Sequence, residues 1–291
     1  MSRPTISVYM TVKNGGYGGA PWLAFAINSI RQQSCSDWEF IIVDDGSTDN
    51  TVELIRRLSG GDARIRVIQT DGVGRGKALN IALSECRGEY VANVDADDVA
   101  HPKRLETEAA VLSKDNRFDV VCSQCLVVLE DEAVSWSSVP QNHEINVEDV
   151  TCLLCVKNPV SHSSVMMKRR AVISVGGYDE SRQSHFDWDL WVRLAAAGYR
   201  IGRIDQVLAA KRLHGKQSFE VGRRLRYVLE GQRVRMRAGE ILGCERQALM
   251  QFLIRLPWDL APNYVRVLVR RVLRKRNGHA SNQQNQQGRR L

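Results

Sequence analysis

At 291 residues, with 43% apolar and 25% charged residues, the chain has the composition of a globular protein with a sizeable core, not of a disordered or fibrous one. Its net charge of +8 is uneven: residues 221–291 carry 16 Lys and Arg against 4 Asp and Glu, whereas residues 1–220 carry 25 against 29. No apolar run approaches the roughly 18 residues of a membrane span, and Met1-Ser2-Arg3-Pro4 leads into a strand without a signal-peptide core, so a cytoplasmic protein is expected.

Ile6 to Val12 reads as a buried strand, followed by a Gly-rich loop from Lys13 to Gly19 and a helix from Pro21 to Gln33 with proline at its start. Trp38 to Val43 is the second strand, Thr48 to Leu58 a helix, Arg64 to Gln69 a third strand and Arg75 to Glu85 a helix with Ala78, Leu79, Ala82 and Leu83 on one face. Glu89 to Val94 is a short strand, and a helix runs from Pro102 to Leu112. Strand and helix alternating every 25 to 30 residues or so predict an α/β fold with a mostly parallel sheet. From Asp119 the pattern becomes mixed. Strands are expected near Val120 and Val165, with helices over Val147 to Val156 and Asp187 to Ala197. After Phe219 the chain turns helical and Arg-rich, and the Gln/Asn-rich end from Ser281 to Leu291 reads as disordered.

Two strand ends carry acidic groups. Asp95, Asp97 and Asp98 follow the fourth strand, and three carboxylates in four residues repel unless a cation sits among them. Hard oxygen ligands there suit Mn²⁺ or Mg²⁺, which take phosphate oxygens as further ligands. Asp44-Asp45-Gly46-Ser47 ends the second strand in the same way. Ligands of open α/β sheets bind beyond the carboxyl ends of the strands, so both loops imply one polar site.

Other motifs point elsewhere and fail. Gly72-Val73-Gly74-Arg75-Gly76-Lys77-Ala78 lacks the Ser or Thr of a phosphate loop, and no G-x-G-x-x-G follows the first strand. Of the seven cysteines, Cys122/Cys125 and Cys152/Cys155 have C-x-x-C spacing. The first pair falls in a strand, where residues three apart face opposite ways, and the second in an apolar, helical segment. Neither offers the turn of a zinc knuckle, so reduced buried thiols are expected.

Taken together, Ser7 to Asn14, Ile30-Arg31-Gln32-Gln33-Ser34 with Phe40 to Asp49, Lys77-Ala78-Leu79-Asn80, Gly88 to Val91 and Asp95 to Asp98 resemble the inverting family 2 glycosyltransferases of the GT-A fold. The resemblance spans roughly Pro4 to Ser218. It implies a Rossmann-like sheet flanked by helices, divided into a nucleotide-sugar half (1–114) and an acceptor half (115–218); beyond it, composition alone gives a basic helical extension (219–276) and a disordered end (277–291). It also implies that Thr11, Asp45, Lys77, Asp95 and Asp97 serve the nucleotide sugar. Asp97, Asp98 and His214 serve the metal, with Asp98 the strongest candidate.

The resemblance continues in Ser184-His185-Phe186-Asp187-Trp188-Asp189. Inverting transfer needs one base to take the proton of the acceptor hydroxyl, and the family places an Asp there, matched by Asp187. Phe186 stands where the family usually has Glu. Asp189 is the second candidate, and His162, Trp188 and Asp189 are implied on the acceptor side. The implied reaction moves a hexose from a nucleotide sugar, UDP first, to a saccharide, glycan or polyprenyl-diphosphate-linked acceptor in polysaccharide assembly. Val265, Leu268, Val269, Val272 and Leu273 within Pro257 to Arg276 form an apolar stripe flanked by arginines, which suits the inner-membrane surface. Two alternatives stay open: a nucleotidyltransferase, and a protein that binds membrane or nucleic acid through its basic tail.

Overall fold

The computed structural model describes residues 4–16, 21–130, 132–139, 144–214 and 224–260. Strand β1 (Ile6–Val12) leads to α1 (Trp22–Arg31), β2 (Trp38–Asp45) to α2 (Thr51–Ser59), and β3 (Ile65–Thr70) to α3 (Arg75–Glu85). Then come β4 (Tyr90–Asn93), β5 (Val99–Ala100), α4 (Arg104–Lys114), β6 (Val120–Leu129), β7 (Val147–Asp149), β8 (Val165–Lys168), α5 (Arg169–Ser174), α6 (Phe186–Ala196), β9 (Ile201–Leu213), α7 (Arg224–Ile241) and α8 (Glu245–Leu260).

Among the described residues the strands form one sheet in the order β3-β2-β1-β4-β8-β6-β9-β5, with β7 on β9. The pairs among β1 to β4 are parallel, as expected of the first half. Beyond β4 the sheet is mixed: β8 runs antiparallel to β4 and β6, while β9 is parallel to β6 and antiparallel to β5 and β7. Alternate residues of β1 feed the two faces. Val8 and Met10 pack with Leu23, Ile27 and Leu105 of α1 and α4, whereas Tyr9 packs with Leu79, Trp188 and Trp191 of α3 and α6.

Where the two halves meet, a cation replaces a strand pairing. β4 and β8 pair at Tyr90–Lys168, Val91–Met167 and Ala92–Met166. At the next step the fully buried Arg104 inserts its guanidinium, donating from Nη2 to the carbonyls of Asn93 (2.9 Å) and Val165 (3.0 Å). Its Nε is held by the buried Glu108 one turn along α4, at 3.1 Å. The strands part at this point, and the acidic loop after β4 occupies the opening.

The segment from Val147 to Val156 is not the expected helix. It forms β7 and a 3-10 turn at Thr151–Cys155, because Val147 and Asp149 pair with β9 and Asp149 caps the turn through the Thr151 N–H. The expectation of reduced thiols is corrected at one pair: Cys155 and Cys244 form a disulfide that ties this turn to the bend between α7 and α8. Cys122 is buried in β6, and Cys125 is half-buried on the same strand. The helices after residue 218 share the main core, since Val234, Ala238 and Ala248 belong to the cluster of Trp188 and Trp191.

Burial pushes Glu108 from its ordinary 4.5 up to about 7, against the pull of Arg104 beside it. Between those values the folded protein binds more protons at Glu108 than the unfolded chain, so this group's contribution falls as pH rises. Urea midpoints measured from pH 5 to pH 7.5 should therefore decline more steeply in wild type than in Glu108→Gln. Parallel curves would show that Glu108 stays ionised throughout.

Candidate active site

The first carboxylate loop is pinned to its neighbours. Asp44 accepts the Ser47 hydroxyl and the Ser47 N–H, and Asn14 Oδ1 accepts the Thr48 N–H at 2.8 Å. Asp45 accepts from Thr70 Oγ1 (2.8 Å), the Val73 N–H (2.7 Å) and the Gly74 N–H (3.1 Å), so it shapes the loop before α3. Gly46 and Gly72 meet back to back at φ +73° and +79°; a Cβ on Gly46 would lie 2.7 Å from the Gly72 nitrogen. Thr11 is half-buried near the end of β1, level with Val43 of β2. Lys77 is exposed on α3. The cation of this segment that reaches the acidic loop is Arg75, whose Nη2 lies 3.0 Å from Asp95 Oδ1.

The three carboxylates after β4 diverge. Asp95 faces Arg75 on one side and His162 Nδ1 at 3.3 Å on the other. Burial alone would raise its pKa, but these two groups outweigh it and hold the carboxyl well below the usual range. Behind it His162 Nε2 meets the Tyr178 hydroxyl at 2.7 Å, and that hydroxyl meets the Tyr9 hydroxyl at 2.7 Å. Asp97 turns the other way, to His214 Nε2 at 2.7 Å. Asp98 is buried and accepts from Ser163 Oγ (2.5 Å) and the Arg212 N–H (2.9 Å). Burial first, then the charges of Asp97 and Asp95, push its pKa well above the ordinary range.

Among the described residues no three His, Cys, Asp or Glu side chains gather into a metal-binding group. Asp97 and His214 nevertheless supply a carboxylate oxygen and an imidazole nitrogen at one point, a donor pair that fits Mn²⁺. Asp98 has its oxygens committed to Ser163 and Arg212 and braces the loop from behind.

At the other side of the site, α6 starts at Phe186 after His185, whose φ of +54° lies in the left-handed region. Asp187, in the first turn, accepts from Asn158 Nδ2 at 2.8 Å. Asp189 is buried under Arg193 (2.8 Å), Arg182 (3.4 Å) and Arg237 (3.4 Å). Trp188 donates its indole N–H to the Leu154 carbonyl at 3.0 Å. One cavity of about 1310 Å³ joins these groups: Arg75, Asp95 and His162 line it, and so do Asp187 and Trp188, whereas Asp189 does not.

The family model described as "Glycosyl transferase family 2" matches residues 7–176. The chain belongs to this family. A protein of Bacillus subtilis (strain 168) described as "Putative glycosyltransferase EpsE" is 32% identical over 211 residues, covering 71% of this chain and 72% of that one. Two solved structures share the architecture. S. aureus TarS (residues 1–349) in complex with UDP-GlcNAc superposes with a TM-score of 0.67 at 18% identity, over 85% of this chain and 72% of that one. The mannosyltransferase PcManGT from Pyrobaculum calidifontis, in complex with GDP-Man and Mn²⁺, gives 0.60 at 18% identity, over 94% and 80%. The protein is a glycosyltransferase with the GT-A fold, and the nucleotidyltransferase alternative falls away.

Sequence reasoning missed Arg75, Tyr9 and Tyr178. Arg75 was visible as the basic residue between Gly74 and Gly76, but was set aside with a failed phosphate-loop pattern. Tyr178 follows Gly176 and Gly177, both at positive φ, and is buried only because that turn folds back onto Asn80.

Proposed function

We propose that this family 2 glycosyltransferase moves a hexose, with inversion, from a nucleotide diphosphate sugar to a saccharide acceptor, a glycan or a polyprenyl-diphosphate-linked sugar, in polysaccharide assembly. The observation that carries the reading is that Asp95 and Asp187 open on one cavity. UDP and UDP-GlcNAc in TarS, and GDP-Man in PcManGT, make both nucleotides worth testing, with UDP first.

In this reading Thr11 and the loop held by Asp45 receive the base and ribose, with Lys77 at the edge of that site. Asp95, already ionised and flanked by Arg75, orients donor hydroxyls. Asp97 and His214 would hold Mn²⁺ or Mg²⁺, an ion that neutralises charge on the departing diphosphate. Asp187 takes the acceptor proton, held in place by Asn158. Asp189, beneath three arginines, is better suited to anchor α6 than to share that task. His162 and Trp188 line the acceptor side.

The inner-membrane role proposed for Pro257 to Arg276 rests on residues that lie, from Ala261 on, outside the described ones. Support comes from α8 just before them, where Leu249, Met250, Leu253 and Ile254 are 49 to 62% exposed. No helix among the described residues is long and apolar enough to cross a membrane. An apolar helix face beside a basic segment suits an interfacial position, helped by about 1 kcal/mol per basic residue near anionic lipid.

Three measurements follow. Asp187→Asn should lower kcat by about 10² to 10⁴, the scale of losing a general base, with nucleotide-sugar affinity little changed; a near-normal kcat would remove Asp187 from the role. In titrations of UDP with and without Mn²⁺, His214→Ala and Asp97→Ala should lose the Mn²⁺ enhancement. Asp98→Asn should keep it within about tenfold, the lower end of what supporting residues of a metal site cost; equal losses in all three would return Asp98 to the ligand set. Sedimentation with anionic liposomes at low salt should pull down the full chain but not residues 1–256, and a chain left in solution would refute the membrane role.

A further inference from the structure

Helix α3 reaches the Asp95 carboxylate by two routes. From its first turn Arg75 donates to Oδ1 at 3.0 Å. From its second turn Asn80 clamps the backbone of Tyr178, accepting the N–H and donating to the carbonyl, both at 2.8 Å. The clamp needs the glycine before it: a Cβ on Gly177, at φ +68°, would lie 2.5 Å from Asn80 Oδ1. The buried Tyr178 hydroxyl then meets His162 Nε2 at 2.7 Å, and His162 Nδ1 meets the same Oδ1 of Asp95 at 3.3 Å. Asp95 lines the cavity, and its Oδ2 has no partner among the described residues.

The order of protons along this chain is set by its buried end. Burial raises the pKa of both phenols, Tyr9 and Tyr178, so each keeps its hydrogen. Among the described residues the Tyr9 hydroxyl has one partner, the Tyr178 oxygen at 2.7 Å, and it donates there. Tyr178 is left to donate to Nε2, and the His162 proton sits on Nδ1, where it is donated to Asp95. The reverse order would leave the Tyr9 proton without an acceptor in the core, and with a neutral ring it would turn the Nδ1 lone pair toward a carboxylate. Asn93, whose amide nitrogen lies 3.3 Å from the same Nδ1, presents its oxygen there in this order, by a half-turn of the amide.

We propose that Asn80, Tyr178 and His162 form a positioning relay which, together with Arg75, holds Asp95 by Oδ1 and leaves Oδ2 as the oxygen that receives a donor hydroxyl. The inference rests on the reading of Asp95 as a nucleotide-sugar contact and adds what aims it. His162 lines the cavity with both ring nitrogens already committed, so its part is to orient Asp95. One helix thus fixes both flanks of the carboxylate, directly at Arg75 and through the turn of Gly177 and Tyr178 at Asn80.

The full chain labelled with ¹⁵N-histidine reads the proton order directly. Two-bond ¹H–¹⁵N spectra should show the His162 proton on Nδ1 and a bare Nε2, the signals being assigned by their loss in His162→Asn. Donor binding is then measured by calorimetry with UDP- and GDP-sugars and Mn²⁺. Tyr178→Phe should weaken it about three- to tenfold, the scale of one neutral hydrogen bond, and in turnover KM for the nucleotide sugar should rise more than kcat falls. Because Tyr178→Phe also leaves buried groups unpaired, a second pair of variants separates aim from stability. His162→Asn keeps an N–H near the place of Nδ1 and His162→Gln near that of Nε2, so His162→Asn should bind the donor more tightly by about threefold or more. The proposal is overturned if the spectra place the proton on Nε2, if Tyr178→Phe binds the nucleotide sugar like wild type, or if His162→Gln binds it as well as His162→Asn. Failure of wild type to bind either nucleotide sugar with Mn²⁺ would strike the donor reading instead, and the spectra would still decide the order of the relay.

Discussion

The structure depends on one buried cation. Arg104 takes the place of the fourth pairing between β4 and β8, binding the carbonyls that those strands would otherwise share. A guanidinium buried this deeply needs a counterion and acceptors in fixed positions. Glu108 and the two carbonyls supply them. Pairing between the parallel half and the mixed half of the sheet stops there, at the carboxyl end of β4 and the amino end of β8. The loop of Asp95 to Asp98 lies in that gap, and so does the turn of His162 to Ser164 that leads into β8.

In this loop three carboxylates within four residues have three different sets of partners. Mutual repulsion in a low-dielectric setting is relieved by giving each its own partner: Arg75 and His162 for Asp95, His214 for Asp97, and Ser163 with the Arg212 N–H for Asp98. Asp95 is driven to its ionised form and Asp98 toward its neutral one by opposite balances of the same forces. The chain from Asp95 through His162 and Tyr178 to Tyr9 anchors the loop in the buried first strand. This is a rigid base for chemistry on a loop.

Much of this was legible in the sequence because it is local. The buried first strands, their acidic ends and Asp187 at the start of α6 each leave a pattern within ten residues. The failures are all non-local. Val147 to Val156 has helical composition, yet its edge becomes β7 because β9 offers unpaired backbone. Strand β9 itself was not anticipated, since its pattern is dominated by a mixed run with Arg203, Asp205, Lys211 and Arg212. Arg104 reads as an ordinary first-turn residue of an amphipathic helix, and nothing nearby announces that it will be fully buried. Likewise, the spacing of Asp95, Asp97 and Asp98 says that a charged site exists but not which carboxylate turns inward.

The central claim is that donor and base face each other across one cavity, so that the sugar passes in a single displacement. The anomeric configuration of the product tests this most directly. With an α-linked nucleotide sugar as donor, the proton NMR spectrum of the isolated product should show a β-linkage from the first turnover. An α-linked product would mean retention, and would contradict a mechanism in which Asp187 acts only on the acceptor hydroxyl.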